Sequence, residues 1–236
     1  MNRDYHPRVP REPSAQTRSG RGPRRPLARA RKIADRLAVA YPGTTTELCA
    51  LAHQDPFELL VATILSAQCT DERVNIVMPI LLRRYATPQA MAGVDREKLE
   101  TLIRSTGFFR SKASHILGAS EAIVMRHSGE VPRSMEELTA LPGVGRKTAN
   151  VVLSVAFDLP GLPVDTHVTR LSRRLGLSGS SDPAQIEQDL CGLFPPEDWG
   201  TISLRLILHG RRVCDARRPR CEICEVADLC PSRGKF

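Results

Sequence analysis

From Leu27 onward, apolar residues return at intervals of three and four, the spacing that lines up one face of an α-helix. The clearest case opens at Asp55-Pro56, a capping residue followed by one whose fixed φ suits the first helical position. Phe57, Leu60, Val61, Ile64 and Leu65 then share a face. Val74, Val77, Met78, Leu81, Leu82 and Tyr85 repeat the pattern behind Asp71. Shorter helices are predicted from Asp95 (Leu99, Leu102, Ile103), from Ser111 (Ile116, Leu117, Ile123) and from Ser134, where Ser134 and Glu137 have the spacing of a capping box. Others open near Arg146, at Asp165, at Asp182-Pro183 and near Trp199. No segment alternates as a half-buried strand does and no Asn-Gly hairpin occurs, so the expected fold class is all-α. No internal repeat of solenoid length is present.

Composition adds two limits. The 236 residues suffice for one good core or two small ones, and 6 Phe, 3 Tyr and 1 Trp leave little aromatic material for sheets. No apolar run reaches the ~18 residues that span a bilayer, and Met1 to Gln16 lack the apolar centre of a secretory signal. The protein is therefore expected to have no membrane partner and to stay inside the cell, cytoplasmic or associated with the nucleoid.

The net charge of +8 is placed unevenly. Residues 1 to 32 carry ten Lys and Arg against Asp4 and Glu12, which accounts for all of it; the other 24 of 34 basic residues are matched by the other 24 of 26 acidic ones. The basicity is thus a property of the N-terminal segment first. That segment also holds Pro7, Pro10, Pro13, Pro23 and Pro26, and residues 1–28 are expected to form a disordered basic tail. Such a tail solubilises, or tracks phosphates weakly; an organelle-targeting peptide is a third reading.

Candidate chemistry concentrates in Leu141-Pro142-Gly143-Val144-Gly145-Arg146-Lys147-Thr148-Ala149-Asn150. Two glycines around one residue allow a tight turn with outward N–H groups, and the following helix adds its positive end, an arrangement suited to a phosphate. A plain structural turn has the same pattern. A lysine amine attacks only when neutral, whereas an ordinary lysine is protonated at neutral pH. Lys147 lies in the first helical turn, where the helix dipole and Arg146 both oppose an ammonium. Asp165 could stabilise positive charge growing on a sugar and assist proton transfers, or could simply cap a helix.

Seven cysteines divide into Cys49, Cys69 and Cys191, read as small buried hydrophobes, and a terminal group Cys214, Cys221, Cys224 and Cys230. Without a secretory signal, four thiolates closing on a metal centre explain the second group better than disulfides, and both zinc and a [4Fe–4S] cluster accept such a ligand set. Arg217, Arg218 and Arg220 lie between the first two of these cysteines and Arg211 and Arg212 just before them, five arginines suited to a DNA backbone.

Leu141 to Asn150, Val164-Asp165-Thr166-His167, Leu65-Ser66-Ala67-Gln68 and the terminal cysteines together resemble the helix-hairpin-helix DNA glycosylases, and among them the endonuclease III group. The resemblance runs from about Ala30 to Pro231. It implies a bifunctional DNA glycosylase and abasic-site lyase of base excision repair that removes oxidised pyrimidines from damaged duplex DNA. Lys147 would attack C1′ and form the Schiff base, and Asp165 would be the essential acid. Gly143, Val144, Gly145 and Arg146 would hold the DNA backbone, His167 would stand in the lesion pocket, and the four cysteines would bind a [4Fe–4S] cluster. A glycosylase extrudes its target nucleotide and fills the gap. By the same resemblance Gln68 and a residue of Gly107 to Lys112 do the filling. Phe108 is the expected wedge, although the family has an aliphatic residue there and Phe108 or Phe109 could instead plug the core.

The architecture implied is two helical domains with DNA in the cleft between them, in a monomer. A six-helix barrel with the hairpin spans 49–159, and residues 29–48 with 160–236 form the iron–sulfur domain, so that Lys147 and Asp165 face each other. The adenine-removing branch of the family fits less well. It lacks a lysine at position 147, it has an acid in the helix matching Leu59 to Leu65, and it carries a further domain for which six residues after Cys230 leave no room. A non-catalytic DNA-binding module would not need both Lys147 and Asp165.

Overall fold

Every regular element in the computed structural model, which describes residues 24–235, is helical. The order among the described residues is α1 (Arg24–Ala40), α2 (Thr45–Leu48), α3 (Pro56–Leu65), α4 (Asp71–Leu82), α5 (Pro88–Ala92), α6 (Arg96–Ile103), α7 (Phe109–Arg126), α8 (Met135–Thr139), α9 (Arg146–Val151), α10 (Thr166–Arg174), α11 (Pro183–Leu193) and α12 (Trp199–Arg212). The expected tail lies outside the described residues over 1–23, whereas residues 24–28 are not tail but the first turns of α1. None of these helices is long and apolar enough to cross a membrane.

The capping chemistry read from the sequence sets most of the starts. Asp55, Asp95, Ser134, Asp165 and Asp182 each accept a hydrogen bond from the backbone N–H three residues on, satisfying a donor that the first turn leaves open. Two starts differ. The helix expected behind Asp71 is capped by Thr70, whose hydroxyl accepts from the Arg73 N–H at 3.3 Å. The helix expected from Ser111 begins two residues earlier, at Phe109, with Phe108 as a left-handed N-cap at φ 48°. The Ser134–Glu137 box is only half formed, because the Glu137 carboxylate accepts from the Ser134 hydroxyl.

α3 is buried around its whole circumference, Leu59 through Leu65 without exception. An all-round apolar helix can only be central. α4, α7 and α9 pack against it, with α5 and α6 along α7 and α8 along α9, so seven α-helices fall within 49–159 where six were expected. α1, α10, α11 and α12 make a second packed group. The two groups meet where α2 and α12 contact residues 152–156, a single π-helical turn continuing α9. Their buried apolar residues form one continuous cluster.

Candidate active site

The turn between α8 and α9 is nailed down by Leu141 and Val144, both buried. Gly143 sits at φ 75°, and a Cβ added there would lie 2.4 Å from His115 Cβ, so both its backbone and its packing demand glycine. Gly145 is the opposite: a Cβ there meets nothing within 4 Å, and as the N-cap of α9 it leaves the first-turn amides without a side-chain partner. The Val144 N–H is bonded to the Leu141 carbonyl at 3.1 Å and its side chain is buried.

Lys147 is exposed, and two ties on either side of it join α9 to the second helical group. Arg146 holds Glu187 of α11 through Nε at 2.8 Å and Nη2 at 2.7 Å. The Asn150 side-chain oxygen accepts from the Leu162 N–H at 3.2 Å. Gly161 rests against the Asn150 carbonyl so closely that a Cβ would stand 2.6 Å from it. Ser203 of α12 donates to the Pro163 carbonyl, so the extended stretch that delivers Asp165 is pinned from both sides. Arg146 is thus one half of an ion pair between α9 and α11.

Asp165 caps α10 through Oδ1, which accepts from the Val168 N–H at 2.8 Å. His167, half-buried, turns Nδ1 towards Arg170 Nη2 at 3.1 Å. A guanidinium only donates, so in this contact Nδ1 is the acceptor. Burial pushes the His167 pKa down, more than the nearby Asp165 carboxylate raises it. A recess of about 700 Å³ begins at Thr166 and is lined by Arg170, Arg173 and Arg174.

The two candidate insertion loops are also built. Gln68 (φ 52°) and Phe108 (φ 48°) are exposed non-glycine residues held in the left-handed region. Ser128 and Asp158 share that conformation. Phe108 is 66% exposed, whereas Phe109 packs on the core with Arg104 and Arg110 over its ring. Phe109 is therefore the plug and Phe108 the free aromatic.

Cys214, Cys221, Cys224 and Cys230 are free thiols. Burial pushes the Cys224 thiol up to about 11, and the neighbouring Cys214 and Cys230 add to it; Cys214 and Cys221 act likewise on Cys230. Thiols raised in this way, as Cys224 and Cys230 are, suit a metal centre whose cations favour the thiolate. A four-thiolate set accepts either zinc or an iron–sulfur cluster. His209 Nε2 lies 3.4 Å from the Cys224 sulfur and Arg174 Nη1 3.3 Å from that of Cys214, giving the site N–H donors.

Residues 61–196 match the HhH-GPD superfamily of base excision DNA repair proteins, and residues 214–230 match the iron–sulfur binding domain of endonuclease III. Endonuclease III of Synechocystis sp. is 57% identical over 86% of this chain and 92% of its own. The chain belongs to the endonuclease III family. The Escherichia coli K12 endonuclease III is 42% identical over 86% of this chain and 95% of its own. A solved non-covalent endonuclease III–DNA complex has a TM-score of 0.83 and 42% identity, covering 89% of this chain and 97% of that one. A trapped endonuclease III–DNA covalent intermediate gives 0.83 and 43%. Endonuclease III carries a [4Fe–4S] cluster, and the cysteine loop of this member is built for one.

For this endonuclease III relative, sequence reasoning missed Glu187 and the buried Lys112. Glu187 follows Ile186 and precedes Leu190 on the inward face of α11, and an acid on an apolar face signals a hidden partner. Arg211 pairs with Asp71 at 2.7 Å and Arg212 stacks on Tyr41, and both stay exposed, as do Arg217, Arg218 and Arg220. Cys49, Cys69 and Cys191 pack against the core as expected, and burial pushes Cys191 up to about 11, an inert thiol.

Proposed function

We propose that Lys147 is the nucleophile of a bifunctional glycosylase and lyase acting on oxidised pyrimidines in duplex DNA, with Asp165 as its electrostatic partner. The observation that carries this reading is the pair of ties at positions 146 and 150. They bracket an exposed lysine and lead, through the pinned Gly161 to Asp165 stretch, to the carboxylate. The neutral Nζ attacks C1′ as the base leaves with its bonding electrons and takes up a proton. The sugar ring opens to a protonated imine, which acidifies the C2′ hydrogen. Removal of that proton expels the 3′ phosphate, and water then hydrolyses the imine to restore the amine. The Asp165 carboxylate favours the cationic stages.

In the same reading the molecule works as a monomer on nucleoid DNA, which lies in the cleft between the 49–159 domain and the domain of 29–48 with 160–236. His167 stands beside the lesion, Gln68 and Phe108 fill the gap, and the cluster mounts Arg217, Arg218 and Arg220 against the backbone. The test is to incubate the protein with duplexes bearing single defined lesions and trap with borohydride. A covalent adduct on oxidised pyrimidines supports the proposal; adducts confined to mismatched adenine, or none at all, refute it.

Two expectations separate binding from chemistry. Gly143→Ala should cost about 2 kcal/mol or more of stability, since it combines a disfavoured φ with overlap on His115. Gly145→Ala should change stability by no more than about 1 kcal/mol yet weaken DNA binding, because its methyl enters the open space left for a phosphate. Thermal unfolding alongside a binding titration checks both. Arg217→Ala with Arg218→Ala should weaken binding to every duplex and reduce the slope of log affinity against log salt by about 2, with the single-turnover rate on saturating DNA retained.

A further inference from the structure

Lys112 is 3% exposed, a rare place for an ammonium, and it lies outside the reacting groups. Its Nζ donates to two backbone carbonyls, Leu65 at 2.7 Å and Thr106 at 2.8 Å. Leu65 is the last residue of α3, and Thr106 the last of a single 3-10 turn, Arg104–Thr106. Both are helix-terminal carbonyls that have no intrahelical donor, the end of a helix at which a cation is favoured. Each stands directly before an insertion loop. Gln68 follows Leu65 by three residues and Phe108 follows Thr106 by two. The Lys112 backbone N–H also donates to the Phe108 carbonyl at 3.1 Å.

We infer that Lys112 is a positioning residue that clips the Gln68 and Phe108 loops into one rigid insertion unit, so that both side chains enter the duplex in register. The inference rests on the proposed role of those two loops. Left-handed backbone at non-glycine residues persists only where the surroundings fix it, and a cation shared between the two preceding helix ends does that for both loops at once. Burial pushes the Lys112 pKa down, yet both acceptors are neutral carbonyls that a protonated amine satisfies best. The remaining insertion chemistry needs no other link. Among the described residues, Lys112 is the side chain that bonds both segments.

The test compares single-turnover cleavage of an abasic site in duplex and in single-stranded DNA by the full-length, cluster-containing protein. A single strand has no stack to open, so the ratio of the two rates isolates insertion from chemistry. Lys112→Met should lower the duplex-to-single-strand ratio by between about tenfold and a hundredfold, as for a small displacement of positioning groups. Lys112→Gln, which keeps donors, should recover part of it. A folded Lys112→Met protein with the wild-type ratio overturns the inference. Gln68→Ala and Phe108→Ala serve as references: if neither lowers the ratio, the loop assignment fails, and if both do while Lys112→Met does not, only the clip fails. Hydrogen exchange on the wild-type protein decides the matter even if Lys112→Met does not fold. The bonded amides of Ala67, Cys69 and Gly107 should open together, and independent opening of the two segments overturns the inference.

Discussion

Lys147→Gln should abolish both the borohydride-trapped adduct and the strand cut, lowering turnover by at least about 10⁴-fold. An amide nitrogen cannot expel the base or form the imine through which C2′ becomes acidic. The adjacent cation, Arg146, is committed to Glu187 and never loses its proton. Folding should be unharmed. Lys147 is exposed, the ties at 146 and 150 do not involve its side chain, and removing a positive charge from the first turn of a helix is favourable by about 0.3–1 kcal/mol. The variant should therefore melt at or slightly above the wild-type temperature and still bind damaged duplex. A catalytic group that opposes stability where it stands is recognised by this combination. A trapped adduct of normal intensity from Lys147→Gln would show that another amine is the nucleophile.

The sequence made the helices legible wherever a capping residue preceded three or more turns of periodic apolar positions, as at Asp55 and Asp182. It hid α2 and α5, which span four and five residues, too few for a 3.6-residue period to declare itself. The Thr44–Glu47 capping box of α2 was nevertheless there to be read. Phe108 shows another limit. Its φ is 48°, and no local propensity predicts left-handed backbone at phenylalanine, so the start of α7 was displaced to the nearest serine. At the site, residue types in short strings were visible, including the LPGVG turn, Asp165 and the cysteine spacing. Pairings between distant segments were not. Glu187 lies 41 residues from Arg146 and Leu65 lies 47 from Lys112, and a single sequence records neither meeting. The first of them makes Arg146 half of an interhelical tie.

Asp165→Asn and Asp165→Ala together should separate chemistry from capping, because the carboxylate does a structural job as well. Its Oδ1 caps α10, and asparagine caps about as well as aspartate. Asp165→Asn should keep the wild-type stability while turnover falls by roughly 10²- to 10⁴-fold, since it removes a charge needed as the sugar becomes cationic. Asp165→Ala loses the charge and the cap. Its turnover should fall to the same level, and its stability by a further ~1 kcal/mol. Binding of damaged duplex should survive in the asparagine variant, which leaves the turn around Gly145 and the arginines of the cysteine loop intact. The decisive comparison is between the two activities. If asparagine retains wild-type turnover and only alanine loses it, then Asp165 acts through the helix that it starts, and the carboxylate has no part in the reaction. Equal losses with unequal melting temperatures assign the charge to the transition state and the hydrogen bond to the fold.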